Sequence, residues 1–260
     1  MDIPVRTVAE MAQQGEHPDI LFWVGCAGSF DDRYKKVTRA FVKILQHLNI
    51  KFAVLGTEEA CTGDPARRAG NEFTFQMLAQ QNIQVLNGYG IQKIVTACPH
   101  CFNTLRNEYP ELGGTYEVLH HSEYLQSLIQ EGSLKVSGGN FKGKKITYHD
   151  SCYLGRANDV YEAPRELIAA LDAELVEMKR CRTKGLCCGA GGAQMFKEPE
   201  KGIKDINVER TEEILETQAK TVAVACPFCM TMISDGVKYK EKEHEVKVYD
   251  LAELIAADLS

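Results

Sequence analysis

The sequence has 260 residues, 44% hydrophobic and 25% charged, with a formal net charge of −6. That balance is ordinary for a globular α/β protein and excludes a nucleic-acid binder, which concentrates Lys and Arg on one face. The opening stretch MDIPVRTVAEMAQQGEHP has neither the basic start nor the apolar core of a secretory signal. No apolar run approaches the roughly 18 residues of a membrane span, so a cytoplasmic protein is expected, touching a membrane only through a partner.

In chain order, DILFWVGC reads as a strand, followed by a helix over DDRYKKVTRAFVKILQHL. KFAVLG is a second strand, and GNEFTFQMLAQQNIQVLNGYG a helix. KIVTAC is a third strand that runs into the helix PHCFNTLRNEY, and YEVLHH with SEYLQSLIQEG adds another strand and helix. The order then recurs. KITYHDSC is a strand, ANDVYEAPRELIAALD a helix, ELVEMK a strand, and INVERTEEILETQAK an amphipathic helix. TVAVAC is a strand, PFCMTMISDGV opens a helix, and VKVYDLAELIAADL closes the series. Short Val/Ile-rich strands alternating with helices predict parallel βαβ units with helices on both faces. The fold class is therefore α/β, with two tandem pseudo-symmetric Rossmann-like halves. The Gly/Ser/Lys-rich stretch at 132–145 is the expected linker, giving domains at 1–135 and 136–260.

The cysteines repeat with the strands. Cys26 and Cys152 are 126 residues apart, as are Cys61 and Cys187; Cys98 and Cys226 are 128 apart, as are Cys101 and Cys229. Thr62 stands where the repeat places a partner for Cys188. Of the ten cysteines only Cys181 lies outside the scheme. In a chain with no export signal such clusters mean metal binding or redox chemistry rather than a disulfide framework. Ligands of open parallel sheets sit beyond the carboxyl ends of the strands, so each half is expected to gather its thiols, and a metal site, there.

The second half offers five thiols, Cys152, Cys187, Cys188, Cys226 and Cys229. Zinc and a cubane [4Fe–4S] cluster each take four, so one thiol is spare or bridges metals. Adjacent cysteines in extended backbone point to opposite faces. Gly189, Gly191 and Gly192 permit the sharp turn that aims both at one site.

These residues carry a resemblance. The pattern of a cysteine, 34 residues, CCG, 37 residues and CxxC resembles the cysteine-rich CCG domain found in the B-type and D-type subunits of heterodisulfide reductases. The same domain recurs in iron–sulfur subunits of bacterial lactate and glycolate oxidases and of membrane complexes associated with sulfite reductases. YHDSCYLGR, CCGAGGAQMF, INVERTEEIL and ACPFCMTMISDG are similar to its motifs, as are CTGDPARRAGNE and ACPHCFNTLRNEYP in the first half. The resemblance spans essentially the whole sequence and is strongest to the C-terminal part of the D-type subunits, without their two ferredoxin-like CxxCxxCxxxCP motifs. It implies a B-type unit that receives electrons from a ferredoxin-like or flavoprotein subunit, in a complex that can be quinone-linked at a membrane. It also implies that Cys152, Cys187, Cys188, Cys226 and Cys229 hold a noncubane [4Fe–4S] cluster used in one-electron steps of disulfide cleavage or in electron relay.

The first half departs from the motif. Thr62 replaces the second cysteine, and GDPARRAG lacks the glycine cluster of CCGAGG. Cys26, Cys61, Cys98 and Cys101 suffice for a second [4Fe–4S] cluster or for a structural zinc. His149 is a candidate proton donor to a departing thiolate, an imidazole ordinarily titrating near neutrality. His100, inside CPHC, is a candidate donor to a cluster sulfur or a residue that shapes the turn. His120 and His121 are candidates to face the first site, and Arg67, Arg68, Arg156 and Lys184 to offset cluster charge or meet an anionic substrate. Cys181 reads as a bystander. A zinc or mixed-metal scaffold is the competing function. A thioredoxin-like exchanger would use one CxxC and leave the repeat unexplained.

Overall fold

The computed structural model describes residues 4–136, 139–198 and 201–259. The chain divides between Tyr124 and Leu125 into two compact units. The first contains β1 (Ile20–Trp23), β2 (Phe52–Ala53), β3 (Lys93–Thr96) and β4 (Glu117–His120). The second contains β5 (Lys145–Tyr148), β6 (Glu174–Leu175), β7 (Thr221–Val224) and β8 (Lys247–Asp250). Each set forms a four-stranded, wholly parallel sheet, ordered β2-β1-β3-β4 and β6-β5-β7-β8. The two tandem α/β halves read from the strand–helix alternation are therefore both present. All four residues of β1 are buried, as are the last three of β3, β5 and β7. Continuous burial is why these strands read as apolar runs rather than as alternating patterns.

Some elements are shorter than the sequence predicts, and one is additional. KFAVLG pairs with β1 only at Phe52 and Ala53; Val54 bridges Thr7 instead, with Val54 N–H donating to Arg6 O and Val8 N–H to Val54 O. That segment leads into the unpredicted helix Val8–Gln13, closed by a capping box between Thr7 and Glu10. The helix over PHCFN runs Pro99–Asn103, widens to a π-helical turn at Thr104–Glu108, and ends in a 3₁₀ turn at Tyr109–Leu112. Residues 137 and 138 of the expected linker lie outside the described residues; beside them, Val136 bridges Leu259.

Two helices of the second unit matter for the site. Ile206–Glu216 packs on Pro227–Tyr239, and Gly236 sits where they touch. A Cβ there would lie 2.1 Å from Thr211 Oγ1 and 2.8 Å from Asn207 O. Gly236→Ala is therefore expected to cost about 1–3 kcal/mol through overpacking, read as a lower denaturant midpoint. An unchanged midpoint would show that the helices part without cost.

Candidate metal centres

In both sheets the strand order reverses direction at one place, between β1 and β3 and between β5 and β7. Connections leaving there run to opposite sides, which opens a crevice at the carboxyl edge. Cys26 and Cys98 follow β1 and β3; Cys152 and Cys226 follow β5 and β7. The loops after β2 and β6 add Cys61 and the Cys187–Cys188 pair. Each topology thus delivers cysteines from three loops to one sheet edge.

In the second unit Cys226 caps the helix Pro227–Tyr239 and Cys229 lies in its first turn, with Pro227 at a position that needs no N–H partner. The five sulfurs form one connected group. Cys187 interacts with Cys152 and Cys188, Cys188 with Cys229, and Cys229 with Cys226. Gly189 has φ +98°, which turns its N–H onto Cys187 Sγ at 3.3 Å. Hydrogen bonds from Cys152 and Cys188, joined by the Gly189 and Gly191 N–H groups, hold the Cys187 thiol far below its usual range. Cys152, Cys188 and Cys229 are pushed up, first by sharing their protons with neighbouring sulfurs and then by burial. Five sulfurs this close cannot all ionise unless a cation offsets their charge. Metal binding would supply it and release the protons.

Polar residues behind the sulfurs hold this loop. Asp150 accepts two hydrogen bonds from Arg165 (2.8 and 3.0 Å) and one from Arg182 N–H (2.7 Å); Arg165 also reaches Glu177 at 2.6 Å. His149 is buried, and its Nδ1 accepts from Arg210 Nε at 3.0 Å. Arg210, itself wholly buried, also donates to Arg180 O and to Glu213. A ring nitrogen of His149 lies within 4.8 Å of the sulfurs of Cys188 and Cys229. Burial, then the Arg210 charge, lowers the His149 pKa to about 3. Burial beside a guanidinium thus disfavours the charged imidazole. A narrow cleft lined by Asp150, Ser151, Cys152, Arg156, Arg182 and Cys187 reaches two of the sulfurs.

The first unit builds the same arrangement with one sulfur fewer. Cys26 lies in the helix Gly25–Phe30, and Cys98 caps the helix carrying Cys101. Cys26 interacts with Cys61 and Cys98, and Cys101 with Cys98, Cys26 and Cys61. A proton shared from Cys61 lowers the Cys26 thiol; Cys61 is raised by that sharing and by burial, and Cys101 by sharing with Cys98 and by burial. Thr62 Oγ1 donates to Cys101 Sγ at 3.9 Å, the counterpart of the Cys188–Cys229 pair. Gly63, with φ +89°, donates its N–H to Cys61 Sγ at 3.4 Å, as Gly189 does to Cys187. The turn that wraps the second site therefore survives in the first. The shared 126-residue offset between Gly63 and Gly189 is the sequence signal that identifies it.

Other residues sort themselves by their partners. Glu59 accepts from the N–H groups of Val24 (3.0 Å) and Gly25 (2.6 Å), fixing the turn before Cys26, and burial raises its pKa to about 7. Asn82 bonds Ala60 N–H and Cys61 O and so ties down the loop of Cys61. Neither was legible as a site residue, because each acts from a distant segment. His100 turns Nδ1 to Asp64 at 2.9 Å; His120 bonds Ser122 and His121. Arg67 and Arg68 are engaged by Glu108, and Arg68 also by Asp64. Arg156 donates to Gly185 O beside the second site. The charged groups around Cys181 are Glu177, Asp150, Arg165 and Arg182.

The cysteine-rich domain (CCG) family matches residues 20–106 and 146–234, spans that include all nine repeat-placed cysteines. The chain is 46% identical over 260 residues to the EtfAB:quinone oxidoreductase of Syntrophomonas wolfei subsp. wolfei, covering 96% of the chain and 36% of that protein. It is 46% identical over 256 residues to the probable iron-sulfur-binding oxidoreductase FadF of Bacillus subtilis, covering 98% and 36%. It is 34% identical over 250 residues to the D-type subunit of the dihydromethanophenazine:CoB–CoM heterodisulfide reductase of Methanosarcina barkeri, covering 93% and 59%. The chain thus spans between 36% and 59% of the length of these relatives.

Proposed function

This chain belongs to the cysteine-rich domain (CCG) family, and we propose that it is the iron–sulfur part of an oxidoreductase. Cys152, Cys187, Cys188, Cys226 and Cys229 hold a noncubane [4Fe–4S] cluster, and Cys26, Cys61, Cys98 and Cys101 a four-thiolate [4Fe–4S] cluster. The observation that carries this reading is the connected group of five sulfurs beyond β5, β6 and β7. Four thiolates satisfy zinc or a cubane cluster, and the fifth is no bystander, since Cys188 touches both Cys187 and Cys229. Thiolates are the soft ligands iron–sulfur clusters require.

Bound there, the cluster supplies one-electron transfer. The chain's own residues do the rest. The Gly189 and Gly191 N–H groups offset negative charge at Cys187, and the Asp150–Arg165 pair holds the loop of Cys152. The narrow cleft beside Cys152 and Cys187 is lined by Arg156 and Arg182 as well as Asp150, and Arg182 is paired with Glu162. Cleaving a disulfide consumes two electrons and two protons. The electrons come from a reduced ferredoxin-like or flavoprotein partner, and the protons from solvent. The relatives' names contain a quinone oxidoreductase and a component of a heterodisulfide reductase, and on this reading the chain serves either as electron relay in a quinone-linked complex or as the disulfide-reducing part. No described helix is long and apolar enough to cross a membrane. The thiols require a reducing compartment such as the cytoplasm.

The test is anaerobic quantitation of iron, sulfide and zinc on the full chain, with paramagnetic resonance. About eight irons and eight sulfides per chain are expected from two four-iron clusters; zinc without iron would overturn the reading. In the same assay Thr62→Cys is expected to move the first-half spectrum toward that of the second half. A spectrum left unchanged would show that the fifth thiol does not set the cluster type.

A further inference from the structure

The two halves place a nitrogen-bearing ring at the same register position. Phe22 pairs with Val95 and Tyr148 with Ala223, so the next residues, Trp23 and His149, are equivalent in register and leave the same face of their sheets. Each stands three residues before the first cysteine of its half. Trp23 Nε1 and His149 Nε2 are both buried and have no hydrogen-bond partner among the described residues. An unsatisfied buried donor costs about 1–3 kcal/mol, so the same cost borne twice at the repeat's equivalent position points to an acceptor bound in each half.

In the second half the chemistry of that donor is determined. The guanidinium of Arg210 is always protonated, and its Nε–H donates to His149 Nδ1 at 3.0 Å. Nδ1 must therefore offer its lone pair, which places the ring's one proton on Nε2. A protonated Nε2 has no lone pair for a metal, so His149 serves as a donor rather than a ligand despite lying within 4.8 Å of Cys188 and Cys229. Arg210 is held in turn by Arg180 O and Glu213, which fixes the ring's direction. Hydrogen bonds to cluster sulfur stabilise the more negative, reduced state and raise the reduction potential.

We propose that His149, locked by Arg210, donates its Nε2–H to a sulfur of the second-half cluster and thereby raises that cluster's potential. Trp23 is the equivalent donor in the first half. The inference rests on the cluster assignment above.

The test is a paramagnetic-resonance redox titration of the iron-loaded full chain. His149→Phe keeps an aromatic ring without the N–H and is expected to lower the second cluster's midpoint potential; His149→Gln, which supplies an amide N–H, is expected to restore part of the shift. Trp23→Phe should leave the second cluster's midpoint where it was. A wild-type potential in a fully loaded His149→Phe protein would overturn the proposal while leaving the cluster assignment standing. A wild-type chain without iron would instead defeat the assignment itself. Should His149→Phe fail to load, wild-type protein carrying ¹⁵N-histidine in D₂O decides the matter. A weak nitrogen coupling with an exchangeable deuteron supports donation. The large coupling of an iron-bound nitrogen, or no coupling, overturns it.

Discussion

Cys188→Ser is expected to abolish the noncubane signature of the second half and to bring its spectrum onto that of the first. The physical basis is the pairing Cys188–Cys229, which the first half matches with Thr62–Cys101 at 3.9 Å. A serine hydroxyl placed there reproduces Thr62, a hard and protonated oxygen that soft iron binds poorly. The remaining four thiolates can still hold iron, so the readout is cluster type and turnover rather than total metal. Outer-shell changes at metal sites typically cost about 10–100-fold, and loss of a ligand from the working cluster should exceed that range in electron-transfer turnover. Cys181→Ser is the control, since Cys181 lies among carboxylates and guanidinium groups, and it should change neither. A Cys188→Ser protein with intact spectrum and turnover would defeat the five-ligand assignment.

The second large effect lies behind the clustered thiols. Arg165→Met leaves Asp150 and Glu177 without their shared cation, in a pair whose Arg165 and Asp150 side chains are 5% and 4% exposed. Removing one partner of a buried pair typically costs about 3–5 kcal/mol, measurable as a fall in unfolding free energy. Against the upward push of burial, hydrogen bonds from Arg165 and the Arg182 N–H hold Asp150 below its usual carboxylate range. A depressed carboxylate contributes stability above its unfolded pKa and loses it as pH falls through the folded one. The gap between wild type and Arg165→Met should therefore be widest near neutrality and narrow in acid. Because Asp150 is two residues from Cys152, the variant should also load less iron. Replacing both partners, as in Asp150→Asn with Arg165→Met, should recover part of the loss, since no lone buried charge remains at Asp150. A loss that is the same at every pH would show that the pair does not carry it.

The strand–helix alternation was readable because strands buried on both faces need uninterrupted apolar residues, and TVAV and KIVT supply them. Strand ends were less readable. Whether Val54 joins β1 or bridges Thr7 depends on a neighbour more than forty residues away in sequence. The helix Val8–Gln13 carried a legible signal, since Thr7 and Glu10 have the spacing of a capping box. Gly63 was legible in the same way through its offset from Gly189. Glu59, Asn82 and Arg210 were not, because what they do depends on which loop or ring the fold brings beside them.

The 126- and 128-residue offsets, taken alone, determine that the chain is a duplication, which cysteines belong together, and that Thr62 breaks the symmetry. These are properties of order along the chain, and order needs no coordinates. Only the tertiary structure decided that the thiols meet where the strand order reverses. It also decided that Gly63 and Gly189 turn their N–H groups onto sulfur, and that His149 Nδ1 accepts from Arg210. Burial and hydrogen-bond partners set protonation, and both come from residues far apart in the chain. The sequence names the thiols that belong together; the fold sets the charge state and the direction of the groups around them.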